Sequence, residues 1–532
     1  MTATRQAAWR TGPANGWHDD LVWYAAAVHQ MRLRTPGLDD FFARLRALLQ
    51  PGGFTQPAID ELNLLSEQWS DVWGLGYHSQ IHGTFLPVDR WPQVNGNAAL
   101  WKECAHNHWF FLPWHRAYLL EFEAICRGWI VSLGGPAEWG LPYWNYSDFE
   151  GDAARLGMPL PLRGETLPAD VTVPGVEART DGLFPNPLWI PGRVFEGDTD
   201  PADTGWADAS TALLRHHFAN QQDTGRVSFG GGVIEDALNQ ALFHDQTQEI
   251  GQLDASPHGS VHVRVHGAMA LFETAGLDPV FWMHHCNVDR LWETYARDLG
   301  HGYPFENGVG VGTPAQQSWN DREFWFLRGD SSFVAWTAPS VLDLSFLDYA
   351  YDTTAPPTLP AAGAPTTASE DQPFGLDQPV PEPVSAAEDV HLAGTTEALL
   401  VGGSATDRGL TAVSFPAEAT WVLRFDGIRC ARPAQTSYEV YLGLDDGLQA
   451  DPHDAEHHVG LLSLFGVLEA SRDDGTSPGD GQRRQLDATA AVRAQSATLH
   501  PLEVAVRLVP LESERDLGSA DLTVGRLSLE FT

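Results

Sequence analysis

The chain has 532 residues, of which 43% are hydrophobic, so it is too long for one ordinary domain and can bury a large core. Its formal net charge of −38 would repel nucleic acid and anionic membranes, which excludes both as expected partners. No stretch of about 18 consecutive apolar residues is present, so no segment is expected to span a membrane.

The N-terminus and the cysteines bear on the cellular compartment. The first residues, MTATRQAAWRTGPANGW, lack the apolar run of a signal peptide. Cys104, Cys126, Cys286 and Cys430 show no CxxC spacing and are too few for a disulfide scaffold. We therefore expect a cytoplasmic protein, or one that is exported with a partner protein.

The part of the chain up to residue 351 is predicted to be mainly helical. At residues 36–49 a proline and early acidic residues precede apolar residues at helical spacing. The same spacing recurs at residues 115–126 and 288–296. Long loops rich in glycine and proline, such as residues 151–207, separate these segments.

Histidines are concentrated in two blocks of this helical part. The first block holds His78 and His82 in GYHSQIHG, and then His106, His108 and His115 in HNHWFFLPWHR. The bulky aromatic residues around the last three histidines are typical of a buried segment. The block therefore offers several imidazoles to one region of the core.

The second block contains His258 and His262 in SPHGSVHVRVHG, and His285 in DPVFWMHHCNVDRLW. Residues four apart on a helix share a face, with Cβ atoms about 6 Å apart, so the first two could chelate a metal. His285 from a separate helix would complete a site of three neutral imidazoles, which suits copper, zinc or iron and leaves a position open for a small ligand such as O2. A lone HxxxH pair is more often two surface histidines, and HExxH is absent, so a zinc metalloprotease is not expected.

A proline-rich segment divides the chain. Residues 352–387 contain eight prolines and no apolar period, which is typical of an extended linker. After it the period changes to two, at residues 421–425, 438–442, 502–508 and 527–531. This alternation predicts an antiparallel β-sandwich or barrel. The predicted domains are residues 1–351, 352–387 as linker, and 388–532.

The two histidine blocks resemble the copper-binding signatures of the tyrosinase, catechol oxidase and haemocyanin family. HNHWFFLPWHR resembles the first copper motif and DPVFWMHHCNVDRLW the second, and the resemblance covers roughly residues 75–295. It implies an α + β multidomain protein in which a mainly α-helical bundle holds two copper ions and a β domain follows. The implied function is oxidation of o-diphenols to o-quinones with O2, with monophenols or o-aminophenols as alternative substrates. A haemocyanin-like O2 carrier and a zinc-loaded relative are the competing classes.

The resemblance also implies a ligand set. The first copper would be held by His82, His106 and His115, and the second by His258, His262 and His285. His78 is the alternative to His82, although the Ile-His-Gly context of His82 matches the family better. His284 would orient the second site, whereas His108 and His266 are expected to be core or rim residues.

Further roles follow from the same resemblance. Cys104 lies two residues before His106, as in relatives that join these side chains through a thioether. Phe272 would stack over the first copper and narrow the entrance. Many tyrosinases have Asn where this chain has Gly259; with an upstream acid, here Asp254 or Glu249, that Asn holds a water that deprotonates monophenols. Its absence disfavours monophenol hydroxylation.

The last expectations concern how the parts are joined. Arg116 and Asp289 each follow a ligand histidine and are predicted to form a buried ion pair between two helices. The C-terminal domain resembles the shielding domain of latent polyphenol oxidases and haemocyanins, in which a β-loop side chain plugs the copper pocket. The loops at 445–458 and 470–485 are the candidates for that plug, and the enzyme would be latent until the domain is removed.

Overall fold

The computed structural model describes residues 2–87, 90–91, 98–101, 103–195, 204–220, 227–238, 249–306, 308, 310–358, 374–375, 382–402, 419–444, 450–452, 454–473, 479–500, 503–512 and 520–531. In these residues the α-helices are α1 Asp19–Leu33, α2 Leu38–Leu48, α3 Gln56–Ser66, α4 Leu75–His82, α5 Phe111–Ser132, α6 Ser210–Leu213, α7 Ser260–Val265, α8 Phe272–Ala275, α9 Pro279–Glu293, α10 Pro314–Asp321, α11 Val467–Ala470 and α12 Thr489–Ala494. No described helix is long and apolar enough to cross a membrane.

The predicted helices are present, and α5 and α9 carry two of the histidines. α2 lies within the segment expected at 36–49, and α5 contains the segment expected at 115–126. α9 begins at Pro279 behind the capping residue Asp278, whose side chain accepts the Val280 N–H, and ends with one wide turn, Thr294–Asp298. α5 packs against α1 on one side and α9 on the other, which aligns the two helices that carry His115 and His285.

Short strands accompany the helices. The described strands of this part are β1 Ala3–Arg5, β2 Ala219–Asn220, β3 Gly231–Gly232, β4 Glu323–Leu327, β5 Phe333–Thr337, β6 Tyr349–Tyr351 and β7 Phe374–Gly375. β1 pairs in parallel with β6, β2 lies between β3 and β7, and β4 and β5 form an antiparallel hairpin. The pairing of β1 with β6 joins the N-terminus to the end of the helical part.

The C-terminal part is one antiparallel sheet of eight described strands that nearly closes into a barrel. Its strands are β8 Glu382–Leu392, β9 Thr396–Val401, β10 Trp421–Arg429, β11 Tyr438–Leu442, β12 His458–Leu462, β13 Gln482–Asp487, β14 Glu503–Pro510 and β15 Leu522–Phe531. They are ordered β12-β11-β14-β9-β8-β15-β10-β13, and the two edge strands lie next to each other. The alternating residues Val504, Val506 and Leu508 are buried, which confirms the predicted β-sandwich or barrel class.

The start of this sheet differs from the predicted boundary. β8 begins at Glu382, inside the segment 352–387 that the sequence assigned to the linker. The strand was not predicted at this position because of Pro383, since proline cannot donate to a β-ladder and usually marks a non-strand segment. Here it lies beside an irregularity in the pairing of β8 with β15, where a missing N–H is tolerated.

Candidate metal centre

Two groups of metal-ligating side chains lie in the core of the helical part. One group comprises His82, Cys104, His106 and His115, and the other comprises His258, His262, His284 and His285. Within each group, the ligand atoms lie within 4.8 Å of one another, and all eight residues are buried. Burying so many polar rings costs free energy unless they bind something.

The first group is assembled from α4, α5 and the segment between them. His82 is the last residue of α4, His115 lies one turn inside α5, and His106 precedes that helix. The ring centroid of His106 is 5.1 Å from that of His82 and 4.9 Å from that of His115. The residues predicted for the first copper therefore converge.

The second group is assembled from α7, the turn before it and α9. His258 lies in the wide turn Asp254–Gly259, whereas the sequence predicted a regular helix through both His258 and His262. The rings still meet, with the His258 centroid 4.7 Å from that of His262 and 4.8 Å from that of His285. The two groups adjoin, because His115 stacks on His285 at 4.5 Å.

Main-chain carbonyls fix the orientation of the rings from behind. In four of them Nδ1 lies within hydrogen-bonding distance of a carbonyl oxygen: His82 with Phe272 at 2.8 Å, His115 with Phe111 at 2.8 Å, His258 with Asp254 at 3.0 Å and His262 with Met269 at 2.8 Å. An Nδ1–H that donates to a carbonyl leaves Nε2 free to bind a metal. Nε2 of His82 and of His258 is buried and has no hydrogen-bond partner among the described residues.

Burial also sets the protonation state of the rings. It lowers the pKa of His82 to about 3. The pKa values of His115, His262 and His285 lie well below the usual range, first because of burial and then because neighbouring imidazoles disfavour a charge. These four rings are therefore neutral near pH 7, which is the form that binds a transition metal.

The remaining histidines separate into those near the centre and those apart from it. His78 is outside both groups, because its Nε2 lies 2.9 Å from the Val72 carbonyl oxygen. His108 and His266 are also outside them. His284 lies in the second group, stacked on His258 at 5.4 Å, with Nδ1 3.0 Å from the Tyr146 hydroxyl.

Cys104 lies where the predicted crosslink requires it. Its Sγ is 3.5 Å from Nδ1 of His106 and 3.9 Å from Nε2 of His115. Burial raises the pKa of the thiol, so it is protonated near pH 7. The thiol and the His106 ring are in contact without intervening side chains.

Phe272 lies against the first group, where the sequence predicted an aromatic gate. Its ring stacks on His106 with centroids 4.5 Å apart and planes 22° from parallel. Its carbonyl oxygen is the one that contacts Nδ1 of His82. The same residue thus contacts two histidines, one with its side chain and one with its main chain.

Asp254 and Gly259, for which the sequence predicted roles in substrate deprotonation, lie beside His258. The Asp254 carboxylate accepts the Asn107 N–H at 2.7 Å and lies 3.0 Å from Nδ1 of His258, so it is behind the ring and not facing an open pocket. A Cβ added at Gly259 would lie 2.6 Å from Oγ of Ser463, which belongs to the C-terminal part. Glu249, the other acid candidate, is buried beside Gly232, whose N–H its carbonyl accepts.

The predicted ion pair between the two central helices is confirmed. Nε of Arg116 on α5 donates to Oδ1 of Asp289 on α9 at 2.5 Å, and both side chains are buried. Arg5 from β1 adds a second contact to Asp289 at 3.1 Å. The helices that carry His115 and His285 are therefore joined one residue and four residues beyond those histidines.

The side chain that covers the centre, Phe465, was not predicted. Its ring stacks on His262 with centroids 3.9 Å apart and planes 16° from parallel, and meets Phe272 edge-on at 4.5 Å. Phe465 lies between β12 and α11, so the C-terminal part closes over the histidines. The only sequence signal was an aromatic residue followed by glycine in an apolar turn between two strands.

The predicted candidate loops, residues 445–458 and 470–485, do not supply this ring; residues 445–449, 453 and 474–478 are outside the described residues. The second loop supports the ring instead. Arg484 on β13 donates to the carbonyl oxygens of Phe465 at 2.9 Å and of Ser463 at 3.2 Å. Burial lowers the pKa of Arg484 to about 9, against the opposing attraction of Asp254.

Comparisons with known proteins agree with this arrangement. Residues 69–298 match the common central domain of tyrosinase, and residues 386–531 match a domain of unknown function (DUF7868). The chain is 27% identical over 529 residues to tyrosinase HcTyr1 of Hahella sp. (strain CCB-MM4), and the match covers 96% of each chain. It is 25% identical over 271 residues to polyphenol oxidase C, chloroplastic, of Solanum lycopersicum, which is 47% of this chain and 38% of that protein.

Solved structures share the fold over the whole chain. Recombinant latent aurone synthase, a polyphenol oxidase, superposes with a TM-score of 0.54 at 19% identity, covering 100% of this chain and 89% of that one. Latent apple tyrosinase superposes with a TM-score of 0.51 at 17% identity, covering 100% of this chain and 97% of that one. The helical part followed by a C-terminal domain is thus a fold that latent polyphenol oxidases share.

The fold and the paired histidine groups define a type-3 copper phenol oxidase. The chain belongs to the tyrosinase family, since it is also 30% identical over 232 residues to tyrosinase of Streptomyces glaucescens, a match that covers 43% of this chain and 76% of that protein. Its cofactor is a pair of copper ions.

Proposed function

We propose that the enzyme oxidises o-diphenols to o-quinones with O2 and that its C-terminal domain shields the metal centre. His82, His106 and His115 would hold one copper, and His258, His262 and His285 the other. Copper bound there would supply the redox chemistry by which two diphenols, each losing two electrons and two protons to become an o-quinone, reduce one O2 to two waters. The remaining groups of the site would bind and orient the phenol and exclude water.

The observation that carries the substrate assignment is the ring of Phe465. It lies flat on His262, 3.9 Å away, and edge-on to Phe272, so the chain itself fills the space beside the second group with an aromatic ring. A phenol ring has the same size and faces, and offset or edge-on contacts between such rings are favourable. When Phe465 leaves, the same surface can accept the ring of a phenol.

The preference for o-diphenols rests on two positions, since among the described residues neither Asp254 nor Gly259 presents a base to that surface. Hydroxylation of a monophenol needs its proton removed first, and a candidate base must reach that proton. The Asp254 carboxylate accepts the Asn107 N–H and contacts Nδ1 of His258. Gly259 has no side-chain amide. O-diphenols lose their first proton more readily and can present both oxygens to the metals.

Shielding is supported by ion pairs that hold the C-terminal part against the helical part. They are Arg215–Asp487 at 2.7 Å, Arg264–Glu512 at 3.0 Å and Glu273–Arg472 at 3.2 Å. We propose the domain division 1–351 and 382–532, with a linker between. A closed domain would admit O2 more readily than a bulky phenol.

We infer that the physiological partners are O2 and small phenols, since the charge of −38 disfavours nucleic acid and anionic membranes. All four cysteines are buried free thiols, which fits a reducing compartment such as the cytoplasm, or export together with a partner protein.

Copper content tests the ligand assignment. Wild-type protein should bind two coppers per chain, and His285→Ala should bind one. His458→Ala, in the C-terminal sheet, is the matched control and should bind two. Zinc after copper-replete expression, or full copper in His285→Ala, would contradict the assignment.

Phe465→Ala in the full chain tests shielding. Truncating a packed Phe costs about 3–5 kcal/mol, so the closed arrangement should weaken and oxidation of bulky diphenols should rise at least about tenfold. Phe531→Ala, on the last strand of the sheet, is the control and should leave the rates unchanged. Equal rates in Phe465→Ala and wild type for every substrate size would reject the shielding role.

A further inference from the structure

One carboxylate, that of Asp254, reaches the surroundings of both histidine groups. Its Oδ2 accepts the main-chain N–H of Asn107 at 2.7 Å, and its Oδ1 lies 3.0 Å from Nδ1 of His258. Asn107 directly follows His106, which belongs to the first group, whereas His258 belongs to the second. The rings of these two histidines stack with centroids 5.7 Å apart, and Asp254 is buried. The carboxylate therefore lies where the two groups adjoin.

The backbone of Asn107 is in a conformation that its surroundings must hold. Its φ of 63° lies in the left-handed region, which is costly for a residue with a Cβ, although asparagine tolerates it better than most. Such a conformation persists only where neighbouring groups fix it. On the side of the C-terminal domain, Gln482 and Arg484 lie only within 3.4 and 3.5 Å of its side-chain oxygen. The shorter bond to Asp254 is made within the helical part, so it does not depend on that domain.

The same carboxylate restricts the proton of His258. An ionised carboxylate only accepts hydrogen bonds, so the hydrogen of the neutral ring must be on Nδ1, and the main-chain oxygen of Asp254, 3.0 Å from Nδ1, favours the same tautomer. Nε2 is then free to bind a metal, and contacts of this kind orient a ligand ring. We propose that Asp254 is a positioning residue that holds one ligand of each copper, the ring of His258 directly and that of His106 through the backbone beside it.

The test measures copper affinity at each site separately in the full chain. His285→Ala leaves the first histidine group complete and His115→Ala leaves the second, so each background should bind a single copper. Asp254→Ala added to either background should raise the Kd for Cu(I), measured by chelator competition, roughly 10- to 100-fold, the range typical of lost contacts to a metal ligand. Asp330→Ala removes an exposed carboxylate that accepts the Ser332 N–H, and as the control it should change neither Kd.

Asn107 provides a second test, which decides if Asp254→Ala does not fold. Asn107→Ala and Asn107→Gly lose the same side-chain contacts, but only glycine adopts a φ of 63° freely. In the His285→Ala background the alanine variant should bind its copper roughly tenfold more weakly than the glycine variant, because binding requires the backbone beside His106 to keep that conformation. In the His115→Ala background the two variants should bind copper equally.

A wild-type affinity for either copper in Asp254→Ala would overturn the proposal, which requires both ligands to be held. Equal binding of the first copper by the two Asn107 variants would overturn it as well. A lower free energy of unfolding in urea with unchanged copper affinity would show a purely structural role instead. The proposal rests on the proposed assignment of His106 and His258 to different coppers, which metal content tests by itself. Two coppers in His285→Ala would refute that assignment, whereas one copper with unchanged affinity would refute only the role of Asp254.

Discussion

At Gly259 the lack of a side chain is what allows the C-terminal domain to sit on the metal centre. An added Cβ would lie 2.6 Å from Oγ of Ser463 and 3.3 Å from Cβ of Phe465. A contact of 2.6 Å is closer than packed atoms tolerate, so the Ser463 hydroxyl would have to turn away or the loop would have to move. Gly259, which we propose disfavours monophenol hydroxylation, therefore also makes room for the covering loop.

Gly259→Ala in the full chain should consequently raise oxidation of bulky diphenols. Overpacking costs about 1–3 kcal/mol, and about 1.4 kcal/mol changes an equilibrium tenfold, so a rise of roughly 5- to 100-fold is expected. The measurement is kcat/KM for a bulky diphenol and for catechol.

The matched control is Gly525→Ala, where the nearest atom would be at 3.4 Å, and Gly259→Ala combined with Ser463→Gly should restore wild-type rates. Gly259→Asn should exceed Gly259→Ala on monophenols alone if the missing amide limits hydroxylation. Equal monophenol rates in the two variants would show that it does not.

Cys104 allows a chemical prediction at the same scale. If copper loading joins it to His106, the intact mass should fall by two hydrogens, because the thiol is 3.5 Å from Nδ1 of that ring. A thiol reagent should then miss Cys104 in denatured protein while it labels the other three cysteines. Full labelling of Cys104 after copper loading would show that no crosslink forms.

The histidines that the structure brings together in two groups were visible in the sequence because their spacing is local. His106 and His115, or His258 and His262, are close in the chain, and their motifs include the flanking aromatic residues. Phe465 could not be found in this way, because its contact with His262 exists only once two separate domains pack together. A phenylalanine before a glycine in a turn has no property that distinguishes it from an ordinary core residue.

Between elements, the decisive contact is the buried network that joins α5 to α9. Burial alone would raise the pKa of Asp289, but the charges of Arg116 and Arg5, with hydrogen bonds, outweigh it and lower that pKa. A lowered carboxyl pKa stabilises the fold above the unfolded pKa and loses that contribution as pH falls through the folded value. Acid should therefore loosen the helices that hold both histidine groups.

Asp289→Asn should lower the free energy of unfolding by up to about 3 kcal/mol, because it removes the carboxylate that Arg5 and Arg116 share, although each arginine keeps one other buried anion, Glu123 or Glu293. Urea unfolding measures this. On acidification, the variant should also release copper at a higher pH than the wild type does. Glu306→Gln breaks the exposed pair with Arg297 and should cost less than about 1 kcal/mol. Similar losses in both variants would show that burial of the network contributes nothing.

Element prediction succeeded where a period was long enough to read. α2 and β11 lie within a few residues of their predicted positions, since each repeats its apolar residues several times. β1 and β6 have three residues each, which is too short for any period, and their pairing links distant parts of the chain. The predicted β domain began too late, at residue 388, because Pro383 is locally a signal against a strand. In the folded protein Pro383 nevertheless lies within β8.

Across the whole molecule, the covering contact is made by a domain that the linker joins to the helical part. We predict that cleavage between Thr353 and Pro383 raises activity on large diphenols more than on catechol, provided that the fragments separate. The ion pairs between the domains, such as Arg264–Glu512, should delay that separation at low salt.

Limited proteolysis followed by activity and light scattering measures this. A rise in scattering with loss of activity would mean that the C-terminal domain is needed for stability. Unchanged activity for every substrate size, with soluble fragments that have come apart, would exclude shielding.

Under the proposed shielding role, the stacking of Phe465 on His262 would make the enzyme its own competitive inhibitor. A group tethered to the same chain acts as a ligand at an effective concentration of about millimolar or more, whatever the enzyme concentration. Dilution will therefore not relieve the inhibition, whereas a phenol present above that concentration will. The latent enzyme should show a raised KM with a nearly normal kcat, and aromatic inhibitors assayed on the full chain will seem weaker than they are.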